Sequence, residues 1–255
     1  ADLLISEGFI EPHFFAGFSG GRKSILPGIA GAQTVMANHC AEFINSPFAR
    51  TGILKNNPIH KDMVFAAEKA NLAFIVNVVI NGDKKIVRAF AGNREKAHEA
   101  GCEFLSSKCG ISVPQADIVI TSNGGYPLDQ NVYQSVKGMT AGEAVCRENG
   151  VIIISASCSD GHGGEAFFQT LSHAVSPETL LDEISRVPRS ETFPDQWQYQ
   201  ILARILKRFT VILVTNDCDH KMINAMGIKC ASSPDEALAM AMEKLGRDAS
   251  VSIIP

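Results

Sequence analysis

From residue 116 onward, short apolar segments alternate with amphipathic ones, and this alternation constrains the fold more than any other feature. Strands are predicted at 117–121, 151–155, 210–215 and 250–254. Helices are predicted at 130–147, 165–174, 177–187, 195–207 and 234–245. Apolar strands separated by helices are typical of a parallel sheet with helices on both faces. The sequence therefore predicts an α/β fold, with a doubly wound, Rossmann-like domain over residues 111–255.

Two loops of this domain follow predicted strands and are candidates for ligand binding. The segment 122–125 follows the first strand and 157–161 follows the second. Ligands of open α/β sheets bind at the carboxyl ends of the strands. Both loops are therefore expected at the ligand-binding edge of the sheet.

The first 110 residues are predicted to form a separate, incomplete α/β domain that bears the cofactor. Its predicted helices cover 32–43, 58–70 and 93–108, and its predicted strands cover 72–80 and 85–90. Asn57 is a good helix cap, and Pro58 suits the first helical position. Asn81 and Gly82 form a hairpin signal between the two strands. The segment 110–114 is the expected domain boundary.

Composition excludes several classes of protein. The net charge of −4 gives no reason to expect nucleic acid or an acidic membrane surface as a partner. No apolar run approaches the ~20 residues of a membrane span. Seven cysteines without a C-x-x-C spacing argue against a zinc site, an iron–sulfur site and a disulfide framework. The start of the sequence lacks the features of a signal peptide, and we expect a cytoplasmic protein.

A glycine-rich segment at residues 17–32 holds five glycines around the basic pair Arg22 and Lys23. His13 precedes Lys23 by ten residues, and His39 follows it by sixteen. Glycine allows close approach of the backbone to a ligand, and the two cations and two imidazoles add an amine, an anion clamp and proton carriers. The segment lacks the spacing of a Walker A loop. It indicates a phosphate-bearing cofactor with a metal or proton-transfer role.

Several motifs that span most of the chain carry a resemblance to a known family. They are His13-Phe-Phe-Ala-Gly-Phe-Ser-Gly-Gly-Arg-Lys-Ser-Ile-Leu-Pro-Gly28, Asn38-His39, Asn57-Pro-Ile-His60, Leu128-Asp-Gln-Asn-Val-Tyr-Gln-Ser-Val-Lys-Gly-Met139, Asp160-Gly161 with Phe167, and Asp195-Gln-Trp-Gln198. In these motifs and in their order, the chain resembles the later part of the nickel-pincer lactate racemase family.

The resemblance implies a racemase or epimerase of 2-hydroxy acids, such as lactate or a relative, that works by hydride transfer to a cofactor. The cofactor of the family is a nickel pincer, the mononucleotide of pyridinium-3,5-bisthiocarboxylic acid. By resemblance Lys23 holds it covalently, His39 ligates the nickel, and His13 is a catalytic acid/base. The remaining cofactor-binding candidates are the loop residues Ser19, Gly20, Gly21 and Arg22.

The substrate side is implied in the same way by Tyr133, Gln134, Lys137 and Trp197. The first three share one face of a predicted helix and could present a hydroxyl, an amide and a cation to a carboxylate. Trp197 is expected to wall the site. The partner of this site is a small hydroxy acid.

The amino-terminal portion of a family member, with a second catalytic histidine and a carboxylate-binding arginine, has no counterpart here. We therefore expect this polypeptide alone to be inactive, with that portion as its missing partner. Residues 1 to about 108 are expected to expose apolar surface, which favours a homo-oligomer.

Two other functions remain open from the residues alone. The first is a phosphate- or nucleotide-binding α/β module in which the glycine-rich loop binds anions without a metal. The second is a zinc-dependent hydrolase that uses His13 and His39. The second is disfavoured because H-E-x-x-H and a clear third ligand are absent from the sequence.

Overall fold

The computed structural model describes residues 2–254, which form two compact units. Of the described residues, the first unit contains 2–112 and 187–194, and the second contains 113–186 and 195–254. The sequence placed 187–194 in the second domain, whereas its contacts group it with the first unit. This segment joins the first unit because Arg189 makes a bidentate ion pair with Asp62, at 3.0 Å to each carboxylate oxygen.

The first unit is built on a three-stranded sheet of order β1-β4-β5 and on a two-stranded hairpin, β2-β3. The strands are β1 Leu4–Phe9, β2 Pro12–His13, β3 Gly17–Phe18, β4 Leu72–Ile80 and β5 Ile86–Gly92. β1 runs parallel to β4, and β4 and β5 form the predicted antiparallel hairpin. One sheet face packs on the unit's core through Ile75 and Val79, which are at most 5% exposed.

The other face of this sheet exposes apolar side chains, which include Ile5, Phe9, Phe74 and Val76. The register places Ile5 opposite Phe74, so these residues lie on the same face. This exposure agrees with the apolar surface expected of residues 1–108. Whether the chain self-associates through it stays a prediction.

Four helices belong to the first unit: α1 Ala32–Asn38, α2 Ala41–Asn45, α3 Pro58–Lys69 and α4 Lys96–Cys109. The predicted helix over 32–43 is wrong, because the chain leaves helical geometry at His39 and Cys40. The His39 side chain bonds back to the Val35 carbonyl, and Cys40 adopts an extended backbone that starts α2. The break fixes His39 at the end of α1.

The second unit contains a five-stranded, fully parallel sheet of order β10-β6-β7-β8-β9. The strands are β6 Ala116–Ser122, β7 Cys146–Ser155, β8 Thr210–Val214, β9 Lys229–Ala231 and β10 Val251–Ile253. From β6 the sheet grows in one direction to β9, and the winding then reverses to place β10 on the other side of β6. The predicted α/β class and parallel sheet are confirmed.

The helices of the second unit are α5 Val132–Val145, α6 Glu165–Ser172, α7 Pro177–Ser185, α8 Gln196–Arg208, α9 His220–Ala225 and α10 Pro234–Leu245. Val151 and Ile153 of β7 pack in a cluster with Ala237 and Ala241 of α10. Ile152, which points to the opposite face, lies against Gly142 of α5. Apolar side chains on both faces of β7 are therefore buried, as a parallel sheet with two helical layers requires.

Five strands and helices escaped the sequence analysis: β1, the two-residue strands β2 and β3, α9 and β9. β1 reads Leu-Ile-Ser-Glu-Gly-Phe, which has no sustained alternation because both of its faces are only partly covered. α9 and β9 have six and three residues, too few for a periodic signal. No helix among residues 2–254 is both long and apolar enough to cross a bilayer.

Asn57 links the start of α3 to the segment that contains His13. Its side-chain oxygen caps α3 by accepting from the backbone of Ile59 and His60. Its amide donates to the carbonyl oxygens of Phe15 (2.8 Å) and Ile53 (2.9 Å), and the residue is fully buried. The predicted cap is confirmed, and the same side chain holds the segment that contains His13.

We expect Asn57→Ala to destabilise the first unit by about 2–4 kcal/mol, because it removes a cap and leaves two buried carbonyls without their donor. Urea unfolding measures this change. Asn93→Ala is the matched control, because Asn93 caps the first turn before α4 from an exposed position. Its expected loss is about 0.5–1 kcal/mol. Equal losses for the two variants would contradict the account.

Candidate functional site

His13 lies in the β2-β3 hairpin, where the backbone fixes its ring. The amides of Phe15 and Ala16 donate to its Nδ1, at 3.5 and 3.2 Å. The hairpin thus fixes the orientation of the ring, with Nδ1 toward the backbone and Nε2 toward Lys23.

Lys23 meets His13 directly. Its Nζ lies 3.2 Å from His13 Nε2. Which of the two nitrogens donates depends on the tautomer of the imidazole. The neutral amine is the nucleophilic form of lysine.

His39 ends α1, and its Nδ1 lies 2.8 Å from the Val35 carbonyl oxygen. A carbonyl only accepts, so the proton is on Nδ1 and the lone pair is on Nε2. Burial is the main cause that lowers the pKa of His39 to about 4, and the charge of Lys23 lowers it further. A neutral imidazole whose other nitrogen donates to a backbone carbonyl is the usual state of a metal-ligating histidine.

Phe15 connects the three residues. Its buried ring packs edge-on against His13, with 4.5 Å between centroids, and edge-on against His39, at 5.1 Å. Lys23 Nζ lies 5.9 Å from its centroid. The structure therefore brings His13, Lys23 and His39 together around one aromatic ring. Sequence reasoning quoted Phe15 within a motif but assigned it no role.

Arg22 points away from this group and into the protein. It is 3% exposed, and Nη1 and Nη2 donate to the carbonyl oxygens of Phe18 and Ala16, each at 2.8 Å. Nε donates to Nδ1 of His60 at 3.0 Å. Burial lowers the pKa of Arg22 to about 10, so the guanidinium still carries its charge near neutral pH. The expected anion clamp thus has its donors directed at the protein's own backbone and histidines.

His98 completes this buried cluster. Its Nε2 lies 2.9 Å from both Arg22 Nη1 and the Ser19 carbonyl oxygen. Burial and the charge of Arg22 lower the pKa of His98 to about 3 and that of His60 to about 4. Sequence reasoning gave His98 no role and treated His60 as a surface or capping residue. The only available signal was the position of His60 in the Asn-Pro-Ile-His motif.

The loop residues before Arg22 are tightly packed. Ser19 Oγ donates to the Phe9 carbonyl and accepts from the Glu11 amide. The Gly21 amide donates to Oδ1 of buried Asn77 at 2.7 Å. Gly21 has a φ of +52°, and a Cβ there would lie 2.8 Å from the His98 ring. Gly20 has a φ of +76°. These glycines allow the loop to close over the buried cluster.

In the second unit, Tyr133, Gln134 and Lys137 occupy the first turns of α5, as predicted. Asn131 caps this helix by accepting from the Gln134 amide. Lys137 Nζ donates to Gln134 Oε1 at 2.5 Å, and partial burial lowers the pKa of the lysine. The lysine head and the amide therefore form one polar group on an accessible helix face.

The hydroxyl of Tyr133 belongs to a second network. It donates to Asp195 Oδ1 at 3.0 Å, and the Trp197 indole N–H donates to it. Its ring packs edge-on against fully buried Phe167. Sequence reasoning missed the role of Asp195, although the residue stands in a quoted motif. The structure brings Trp197 and Tyr133 together.

Within residues 2–254, no group of three or more His, Cys, Asp and Glu side chains is placed to hold a metal ion. His39 therefore stands outside any such group of three donors in the described part of the chain. A metal bound at His39 would need further donors from a bound ligand.

Family models match both parts of the chain. Residues 111–255 match the lactate racemase C-terminal domain, and residues 1–52 match the lactate racemase N-terminal domain. The first match covers more than half of the chain.

Two characterised relatives are similar over all 255 residues. Identity is 59% to a lactate racemase from Thermoanaerobacterium thermosaccharolyticum and 55% to one from Lactiplantibacillus plantarum. The chain spans 60% of the length of each relative.

Two solved structures are also similar to this chain. The lactate racemase apoprotein from Thermoanaerobacterium thermosaccharolyticum matches with a TM-score of 0.98 at 59% identity, over 100% of this chain and 61% of that chain. A protein from Thermotoga maritima matches with a TM-score of 0.61 at 20% identity, over 99% of this chain and 64% of that chain. The second match supports the fold alone.

We expect the stability of the chain to fall as the pH falls from about 6.5 toward 4. His39, His60 and His98 have pKa values of about 4, 4 and 3 when folded, and 6.5 is their ordinary value. The unfolded chain therefore binds more protons in this window, and protonation favours unfolding. Urea unfolding as a function of pH measures the slope. His60→Gln should reduce the slope by about one proton, and an unchanged slope would contradict the assignment.

Proposed function

Because this chain belongs to the lactate racemase family, we propose that a protein containing it interconverts the enantiomers of lactate or of a related 2-hydroxy acid. The observation that carries the proposal is the convergence of His13, Lys23 and His39 around Phe15. The high identity to two lactate racemases supports the same function.

The residues present fit a nickel-pincer cofactor attached to the chain. Lys23 would hold it covalently through Nζ, which lies 3.2 Å from His13 Nε2. His39 would ligate the nickel through Nε2, because Nδ1 is tied to Val35. Imidazole is a suitable nickel ligand. When bound, this cofactor supplies a hydride acceptor, which removes the need to ionise a weakly acidic C–H bond.

His13 is proposed to exchange the proton of the substrate hydroxyl. The amide of Ala16 holds the ring at Nδ1, so Nε2 is the nitrogen directed toward Lys23. As a base, His13 would need an unprotonated Nε2 to receive the hydroxyl proton. Imidazole suits proton exchange near neutral pH.

Lys137 and Gln134 are proposed to bind the substrate carboxylate. Lys137 is the cation of the α5 group, and Gln134 positions its ammonium head. An ammonium beside an amide can both neutralise and orient a carboxylate. Trp197 is proposed to form a wall of the substrate site beside Tyr133, whose hydroxyl shares a side-chain hydrogen bond with it.

The alternative function, a phosphate- or nucleotide-binding α/β module without a metal, has less support. Its anion clamp would be Arg22, whose guanidinium is buried and donates to carbonyl oxygens and His60. Ser19 Oγ is likewise engaged with the backbone.

Substitution of Lys23 should abolish covalent loading in the full-length protein. We expect Lys23→Arg to carry no adduct and no stoichiometric nickel, because arginine is not a nucleophile. His39→Ala should keep the adduct and lose nickel. Exposed Lys61 offers a control, and Lys61→Ala should match the wild type. Peptide mass mapping measures the adduct, and metal analysis measures the bound nickel. Full loading of Lys23→Arg would refute the proposal.

The isolated 255-residue chain should show no racemisation even when Lys23 is modified. The family resemblance assigns a second base and a carboxylate arginine to residues outside this sequence, and proton exchange on both faces needs two bases. Polarimetry on the chain and on the full-length protein, at equal loading, compares them. Turnover by the isolated chain would refute this part of the proposal.

A further inference from the structure

Helix α1, which ends immediately before His39, is short and poorly capped by its own sequence. It has seven residues, its N-cap Gly31 has no side chain to bond to the first turn, and its last turn contains no basic residue. Helices of this length are unstable in isolation and depend on tertiary contacts. The position of His39 therefore depends on what holds the end of α1.

Arg189 supplies such a contact from a distant part of the sequence. Its Nε donates to the carbonyl oxygen of Ala37 at 2.9 Å, across 152 positions. This carbonyl belongs to the last turn of α1, where a helix has no amide of its own to donate. A cation at this end also complements the partial negative charge of the helix. Arg189 thus provides the C-terminal cap that the sequence of α1 lacks.

Two further contacts hold the Arg189 guanidinium in place. Its Nη2 lies 3.0 Å from each carboxylate oxygen of Asp62 on α3. Its Cζ lies 4.5 Å from the centroid of the Phe43 ring on α2. Arg189 therefore contacts three helices of the first unit at once. A single ammonium cannot replace this fork of donors, because it is a point charge without the planar geometry.

The residue that precedes His39 is bound to the same carboxylate. Asn38 is fully buried, and its amide donates to Asp62 Oδ2 at 2.9 Å and to the Ile59 carbonyl at 3.3 Å. Asp62 therefore links the guanidinium that caps α1 to the last residue of that helix. The amide and Nδ1 of His39 both lie against the Val35 carbonyl, at 3.0 and 2.8 Å. Fraying of the last turn would separate these groups and turn the ring.

We propose that Arg189 is a positioning residue for His39. By closing the last turn of α1, it fixes the ring and the direction of the Nε2 lone pair. This inference rests on the proposed function, in which His39 ligates nickel through Nε2. Loss of a group that orients a metal-ligating histidine typically costs roughly 10–100-fold in metal affinity or activity. The segment 187–194 between α7 and α8 thereby contributes to the cofactor site, although Arg189 itself is not a ligand.

The first test measures nickel retention by the cofactor-loaded full-length protein in the presence of a chelator. Arg189→Met keeps a long side chain against Phe43 but removes the charge and the donors, and we expect nickel loss roughly tenfold faster than in the wild type. Arg189→Lys keeps the charge without the fork, and its rate should rise by about threefold.

Arg186→Met is the matched control, because Arg186 is an exposed arginine at the end of α7. Its rate of nickel loss should stay within about twofold of the wild type, as for most surface substitutions. Peptide mass mapping should show the same Lys23 adduct in all of these variants. Equal rates for Arg189→Met and Arg186→Met would overturn the proposal.

A second readout needs neither nickel nor activity. Nitrogen NMR of labelled histidine rings distinguishes the Nδ1–H tautomer from the Nε2–H tautomer, and comparison with His39→Gln assigns the His39 signal. The cofactor-free full-length protein should hold His39 in the Nδ1–H form, which the Val35 carbonyl requires. Arg189→Met should increase the Nε2–H share. Asp62→Asn keeps an oxygen that accepts from Arg189, and it should change the tautomer less.

Circular dichroism checks that Arg189→Met is folded, and Arg189→Lys takes its place if it is not. An unchanged tautomer in the folded variant would overturn the proposal even if the protein racemises lactate. A changed tautomer in a protein that never holds nickel would support the positioning of His39 by Arg189 and would sink only the proposed function.

Discussion

The first unit depends on one buried cation, the guanidinium of Arg22. A charge in the interior is unfavourable unless its donors are satisfied. Here they are satisfied by carbonyl oxygens of the loop and by the neutral imidazole of His60, and His98 Nε2 lies 2.9 Å from Nη1. The carbonyl oxygens of Ala16 and Phe18 both accept from this guanidinium, which fixes the backbone of the loop between them. His13 lies just before this loop in the sequence, and Lys23 lies just after it.

The same principle explains why the loop is rich in glycine. The backbone must bend tightly around the guanidinium and pass close to His98, which leaves no room for a Cβ at Gly21. The glycines therefore serve packing against the protein itself at least as much as approach to a ligand. Lys23 follows Arg22 in the sequence, and its Nζ lies 3.2 Å from His13 Nε2.

Much of the architecture could be predicted because local signals agreed with the tertiary structure. The alternation of apolar and amphipathic segments after residue 116 predicted the parallel sheet, and Asn57-Pro58 predicted the start of α3. The contact between Arg22 and His98 spans 76 positions and leaves no periodic signal. The direction of the Arg22 side chain depends on carbonyls that only the folded loop brings together. The break at His39 depends on a side-chain bond that competes with a helix-forming sequence.

Hydrogen exchange of the amides in residues 16–24 tests most directly whether Arg22 holds this loop. Arg22→Lys keeps the charge but loses the fork of donors that joins the carbonyls. The account predicts exchange at least about tenfold faster in this segment, which corresponds to roughly 1.4 kcal/mol of local opening, with little change in the second unit. Unchanged exchange in Arg22→Lys would show that the loop keeps its form without the guanidinium and would contradict the central claim.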